Sequence, residues 1–437
     1  MDQVNRRSGG EINLFSSRAF RFLVLTFVAL LPVQLETTKA LGFRVAPANA
    51  MLAVMAILLV GAKGPIALLR DLRRKPAVIG AMALALWFCL ILPVTAHALG
   101  RITSYVLVNK ILGLSCLILI LATFSTLINP RGWVAWAMRW YVRFGSVWNA
   151  LGLLAWVVYA IGRIHTPFVF GPGRLSGLLI DPNAYGGFLV TIFLMQLGTL
   201  NSARRPWAKW VGVWNSLLLL VGIFLTISRG AAVALCAGGF LLWFEYQGRE
   251  KRVVRLLLLM ASVTVILIWV QPLWQLRSSS AEAPEVTVES VEAMARIQNL
   301  AWRFSVMLSA LKAFTRSPLW GIGLGVFPHL EGSKELIIHN TFLWLLTETG
   351  IIGFLIFGFV MVAIWFAYRK ARILGDGEVV GLGSAVGAWL GLMLRIEALY
   401  QRHFWFLCAL IVSLGVPYGT ARQQLINKVC GSKSKKQ

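Results

Sequence analysis

The chain has 437 residues, is 58% hydrophobic, and carries only 14% Asp, Glu, Lys and Arg. Apolar runs of about 15–25 residues recur from end to end, the pattern of helices crossing a ≈ 30 Å hydrocarbon core, which excludes a soluble globular protein. The formal net charge of +25 does not point to nucleic acid, because the basic residues sit in short loops with no aromatic–basic module beside them.

In chain order, twelve spans are predicted near 20–35, 46–66, 77–95, 106–128, 144–162, 183–200, 211–227, 231–246, 256–271, 340–367, 379–396 and 403–420. The polar N-terminal lead has no small-residue cleavage site, so the first span is expected to be a retained anchor. Basic clusters at Arg70–Lys75, Arg131–Arg143, Arg204–Lys209, Arg249–Arg255 and Arg369–Arg372, with both tails, follow every second span. By the positive-inside rule these are cytoplasmic, as are both termini. Cys89, Cys116, Cys236 and Cys408 lie in apolar runs and read as small hydrophobes; Cys430 is in the tail, and no disulfide framework is implied.

The outer side then has two sizeable pieces. A loop near 163–182 contains Gly171-Pro172-Gly173-Arg174 and Asp181-Pro182-Asn183, whose spacing predicts turns. The segment 272–338 opens as loop at Ser278–Pro284; from Val286 to Ser317 it contains neither Gly nor Pro. Ile297, Leu300, Ala301, Phe304, Met307, Leu308, Leu311 and Phe314 recur at helical spacing, predicting an amphipathic helix against the outer face of the bundle. The chain thus divides into helices to about residue 271, a periplasmic helical segment 272–338, helices over 339–420 and a basic tail 421–437.

Side assignment leaves an unexpected set of outer cations, among them Arg163, Arg174, Arg229, Arg303 and Arg395. Guanidinium groups at headgroup depth suit a membrane-borne phosphate ligand, although any single arginine can equally snorkel to lipid phosphates. Arg296 has an i,i+4 partner in Glu292, so Arg303 is the functional candidate of that pair. His339 stands where a polar segment enters a span, and an imidazole suits proton abstraction at neutral pH. Gly350 and Gly353 fall within roughly 40° of its stripe on an ideal helix, where they let a neighbouring helix approach. Glu348 lies about 180° away and roughly 13 Å deeper, and is assigned to a hydrogen bond within the bundle. Asp181 and Glu397, at the outer surface, could orient an arginine or bind a hydroxyl, and His403 reads as an aromatic-belt residue. Gly321-Ile322-Gly323-Leu324-Gly325 lacks a preceding strand and reads as a turn, not a nucleotide loop. No Asp-x-Asp or His-Glu-x-x-His motif is present, and no required metal is expected.

His339-Asn340, nine residues and then Gly350-x-x-Gly353 resembles the signature of the O-antigen ligases, within the O-antigen ligase and polymerase superfamily. Phe354 stands where that family usually has Gly, Thr or Tyr. Gly173–Gly177 with Asp181-Pro182-Asn183, Thr226–Gly230, and Arg303 followed by Pro318–Gly323 agree with it in order. The resemblance implies an all-α, lipid-carrier glycosyltransferase architecture of GT-C-like kind in a Gram-negative inner membrane. It implies transfer of polysaccharide from undecaprenyl pyrophosphate to a lipid A-core sugar on the periplasmic face, without nucleotide, metal or other cofactor. His339 would be the base, Arg229 and Arg303 would hold the pyrophosphate, with Arg174 and Arg163 as further candidates, and Asn340, Asp181 and Glu397 would orient the acceptor. The rival readings are an O-antigen polymerase, a protein O-oligosaccharyltransferase, for which a large soluble C-terminal domain would often be expected after the last span, and a lipid-linked-sugar flippase, for which no repeat symmetry is visible.

Overall fold

A computed structural model describes residues 18–34, 46–126, 130–171, 173–179, 181–200, 205–245, 252–279, 288–330, 337–373 and 377–415, with the backbone alone for 130–131 and 271–301. The two basic tails, Arg204, Arg249, Lys251, Cys430 and the side chains of Glu292 and Arg296 lie outside the described residues.

The bundle begins with α1 (Arg18–Leu30), α2 (Pro47–Lys63), α3 (Pro65–Arg73), α4 (Pro76–Leu90) and α5 (Leu92–Leu99). A π-helical stretch, Val106–Leu112, runs into α6 (Gly113–Ser125) and is followed by α7 (Pro130–Gly162). The loop after α7 carries a small hairpin of β1 (Val169–Phe170) and β2 (Arg174–Leu175), antiparallel with Val169 opposite Leu175. Then come α8 (Pro182–Leu200), α9 (Pro206–Leu225), α10 (Arg229–Glu245), α11 (Arg252–Ser279), α12 (Val288–Arg316), α13 (Thr341–Arg372), α14 (Gly377–Met393) and α15 (Arg402–Leu414). Pro at N1 opens many of these helices, where its missing N–H costs nothing.

Every one of the twelve predicted runs is helical in whole or part. Among the described residues, seven helices are long and apolar enough to cross a membrane, or eight if α2 and α3, bent by 103°, form one span. α10 and α14 have 17 residues each, about 25 Å of helix and just short of the hydrocarbon core. Two boundaries move: α7 starts at Pro130, so Arg139 and Arg143 are on a helix instead of in a loop, and α11 continues to Ser279.

α8 and α14 form the centre. They are buried along nearly their whole length and touch backbone to backbone, so that a Cβ on Gly198 would sit 2.8 Å from the Gly381 Cα. With no hydrophobic force between helices in lipid, such small-residue contacts supply the packing. The bundle has a clear polarity. α8, α10, α13 and α15 start at one end; Arg369, Lys370 and Arg372 close α13 at the other, where Arg372 pairs with Glu245 of α10 at 2.9 Å.

α12 ends at Arg316, as the Ser317-Pro318 pair predicts, but its packed face is not the one expected. Val306, Ala310 and Ala313 are buried, whereas Phe304, Met307, Leu308 and Leu311 are exposed. Close approach is the reason: the Thr347 hydroxyl of α13 donates to the Ala310 carbonyl at 3.2 Å, which demands small neighbours. The large apolar side chains are left for an apolar surrounding. His403 is likewise not at a surface; it is fully buried, stacked on Trp389 and bonded through Nδ1 to the Tyr141 hydroxyl at 2.9 Å.

Candidate active site

The site is built around the start of α13. Asn340 has extended backbone, and its side-chain oxygen accepts from the Leu343 amide at 3.0 Å, so it is the N-cap and leaves His339 just ahead of the first turn. The buried Thr341 hydroxyl donates to the Ile396 carbonyl and accepts from the Ala398 amide, both at 2.8 Å. Glu397 lies between these two anchored residues and is thereby held beside His339. The Trp302 ring of α12 stands 6.2 Å from the imidazole, which is half-buried.

Gly350 does a different job from the one expected, whereas Gly353 does admit a neighbouring helix, with Trp87 of α4 close against it. α13 is broken at Gly350, where φ is +69°, so no single straight stripe runs beneath His339. What approaches Gly350 is the loop after α12 and not a helix: a Cβ there would lie 2.2 Å from the Leu319 carbonyl oxygen. Gly321, with φ +76°, faces it, and its Cβ would meet the Glu348 carbonyl at 2.4 Å. The backbone bonds Ile322 N to Thr347 O (2.9 Å), Gly323 N to Glu348 O (3.2 Å) and Ile351 N to Pro318 O (2.8 Å) cross the break. Gly353 packs against Thr349 of its own helix and Trp87. Glu348 accepts from the Gly325 amide at 2.8 Å, the bundle hydrogen bond expected of it. The seam pins the end of α12 to the middle of α13, so the Arg303 helix cannot drift from His339.

Electrostatics then define the cluster. Burial holds the His339 imidazole below its ordinary value; Arg303 and Arg395 press the same way, while Asp181 and Glu397 oppose them. Arg303 is lowered by burial, by Arg395 and by Arg229, with Asp181 opposing. Arg303, Arg395, Asp181 and Glu397 thus act on His339, and Arg229 joins them through Arg303, so that six groups from five separate stretches of chain are linked electrostatically. Arg395 packs beside Gly230, and its buried Nε has no hydrogen-bond partner among the described residues. Two guanidiniums pressing on Arg303, one of them with an unfilled donor among the described residues, are an arrangement an anion would relieve.

Two arginines stand apart. Arg174 donates to the Thr226 and Ile227 carbonyls at 3.0 and 3.3 Å, tying the α7–α8 loop to the α9–α10 turn. Asn183 joins the same turn, accepting from the Ser228 hydroxyl at 2.9 Å, and Ser228 in turn accepts from the Ala231 amide at the start of α10. Arg163 is exposed at the end of α7 near the Tyr159 ring. Asp181 accepts from the Asn183 amide at 2.8 Å at the start of α8.

Sequence reasoning missed Thr341 and Lys110. Lys110 is 3% exposed inside a span, pairs with Glu397 at 2.5 Å, and lies 4.3, 5.0 and 5.7 Å from the Trp344, Tyr400 and Tyr105 ring centroids. A lysine within an apolar run was the available signal, since an intramembrane charge marks function by default. It stands on the π-helical stretch, a feature frequent at functional sites.

The His339 environment makes a signed prediction for the acid limb of kcat/KM, which reports the free enzyme. Arg303→Met removes a cation that disfavours imidazolium, so the limb should move to higher pH. Asp181→Asn and Glu397→Gln remove anions that favour it, so the limb should move to lower pH. A pH–rate series on the three variants checks this; shifts in one common direction would contradict the cluster.

Fold and site together define an all-α polytopic membrane protein whose cationic and titratable side chains gather at one end of its bundle. Residues 214–358 match the family model Wzy_C, described as O-antigen ligase. That stretch is about a third of the chain, and over it the chain is similar to the O-antigen ligase family. The matched region includes Arg229, Arg303, His339, Asn340, Gly350 and Gly353; Arg174, Asp181, Arg395 and Glu397 fall outside it. A search of curated proteins found no match.

Proposed function

We propose that this protein is an O-antigen ligase of a Gram-negative inner membrane, with both termini cytoplasmic. It transfers polysaccharide from undecaprenyl pyrophosphate to a lipid A-core sugar on the periplasmic face. The observation that carries the reading is the electrostatic linkage of His339 with Arg303 and Arg395, and of Arg303 with Arg229, at the end of the bundle opposite its basic helix termini. An imidazole kept neutral by its surroundings is a base; three guanidiniums beside it are a seat for a diphosphate.

In this mechanism His339 takes the proton of the acceptor hydroxyl as its oxygen attacks the anomeric carbon. The bond from that carbon to the pyrophosphate oxygen breaks, and polyprenyl pyrophosphate leaves with the electron pair. Attack opposite the leaving group inverts the anomeric centre. The arginines stabilise the departing negative charge, while Asp181 and Glu397 stabilise the imidazolium until it loses its proton. Lys110, bound to Glu397, keeps that carboxylate in place.

Reconstitution with lipid-linked O-antigen and core lipopolysaccharide tests the reading. Acceptor-linked polysaccharide is the expected product. If chains lengthen on the lipid carrier and no acceptor-linked product forms, the protein is the polymerase instead.

A further inference from the structure

The short connection that delivers Arg229 to the site is built against its own backbone preference. α9 ends at Leu225 and α10 begins at Arg229, so Thr226, Ile227 and Ser228 alone turn the chain between them. Ile227 stands there with φ at +48°. Helices that finish on a left-handed residue usually place glycine or asparagine at it, because a Cβ crowds the backbone, and a β-branched side chain suffers most. Among the described residues the other non-glycine with positive φ is Arg163, which is exposed and unbranched at Cβ.

Such a conformation persists only where the surroundings over-determine it, and here they do. The dihedrals of Ile227 set how its two flanking peptide planes are turned against each other. The Arg174 guanidinium holds both planes: Nε donates to the Thr226 carbonyl at 3.0 Å and Nη2 to the Ile227 carbonyl at 3.3 Å. A planar fork of fixed geometry makes both bonds only if the two carbonyls converge on it. Arg174 is itself fixed on β2, next to Gly173, whose carbonyl accepts from the Trp156 indole of α7 at 2.8 Å. From the other side α8 meets the same turn. Asn183 Oδ1 accepts from the Ser228 hydroxyl at 2.9 Å and lies 3.5 Å from Arg174 Nη2, and a Cβ on Gly186 would sit 3.0 Å from the Thr226 hydroxyl oxygen. Ser228 Oγ then accepts from the Ala231 amide at 3.0 Å and caps α10. The backbone direction set at Ile227 is thus passed straight to the first turn of α10, whose first residue is Arg229.

We propose that Arg174 is a positioning residue: its grip on the peptide planes of Ile227 holds that residue left-handed and so aims Arg229 at the diphosphate. The inference rests on the diphosphate-bearing donor proposed above. Without the grip, Ile227 is free to return to negative φ, which re-aims the link into Ser228 and swings the start of α10. Arg174 then matters to catalysis without touching substrate, and its fork matters more than its charge. A direct ligand of the diphosphate would act through its charge, and the conformation of Ile227 would be irrelevant to it.

A cycle of variants separates the two roles. Arg174→Met keeps the apolar stem and loses the fork; it should lower kcat by about 10–10²-fold, as ångström-scale misplacement does, with KM for the acceptor unchanged. Arg174→Lys keeps the charge without the fork and should be nearly as impaired. Glycine adopts positive φ without strain. In an Ile227→Gly background the same Arg174→Met change should therefore cost about threefold or less, a coupling that two independent sites would not show. An equally large loss in both backgrounds, or full turnover in Arg174→Lys, overturns the positioning role and makes Arg174 a direct ligand. Amide exchange gives a reading that needs no substrate. The Ala231 and Ala232 amides, both bonded to Ser228, should exchange faster in Arg174→Met and return toward the wild-type rate in the double variant. Unchanged exchange in Arg174→Met overturns the grip whatever the activity. Should Arg174→Met fail to fold, Arg174→Lys carries both readings. Failure of wild type to use any polyprenyl pyrophosphate donor overturns the ligase reading instead, and exchange still decides what Arg174 holds.

Discussion

His339→Ala should lower acceptor-linked product formation by about 10²–10⁴-fold, the range a positioned general base contributes. The protein should remain folded, because His339 is only half-buried and the Asn340 cap and the Thr341 bonds that start α13 do not involve its side chain. Melting temperature and monodispersity should therefore match wild type while turnover collapses. Added imidazole, neutral above its own pKa, should restore part of the rate through the space the side chain vacates. Wild-type turnover in His339→Ala would remove the imidazole from the mechanism and leave the arginines to explain catalysis alone.

Gly350→Ala should be as damaging for a different reason. An L side chain at φ +69° costs about 1–2 kcal/mol in strain. The larger cost is steric, because the new Cβ would lie 2.2 Å from a backbone oxygen of Leu319 that no rotamer change can move. Relief requires withdrawing the Pro318–Gly323 loop and breaking its backbone bonds to Thr347 and Glu348. Each buried group so orphaned costs about 1–3 kcal/mol. Total destabilisation above about 4 kcal/mol is expected, which would appear as loss of monodisperse protein in detergent. Gly358→Ala on the same helix meets nothing within 4 Å and should be neutral or stabilising by up to about 1 kcal/mol. If Gly350→Ala behaves like Gly358→Ala, the seam between the α12 exit and α13 is not what holds the site.

The members of the candidate site were legible as a list and their arrangement was not. Arg229, Arg303 and His339 stand out because cations and an imidazole at an apolar boundary are conspicuous whatever surrounds them. Their grouping depends on residues 181, 229, 303, 339 and 397 meeting across the bundle, and no local pattern encodes that distance. Arg174 looked equivalent to Arg229 by charge and position; only its backbone partners at Thr226 and Ile227 distinguish it as a tie between loops. Gly350 and Gly353 were read on an ideal helix, and periodicity cannot reveal that α13 breaks at the first of them. The break depends on a second glycine, Gly321, brought against it from another stretch of chain.

By itself, then, the amino-acid order determined the solvent this chain lives in and its helical runs. Those properties follow from transfer free energies and charge bias summed along local segments, which any folding of the chain must respect. The tertiary structure alone decided that Glu397 is paired with Lys110 and flanked by residues bonded to Thr341, that Arg303 and Arg395 act on His339, and that α10 and α11 leave a groove between them. These depend on close contacts between distant segments, where a single ångström or one missing Cβ decides whether two groups meet.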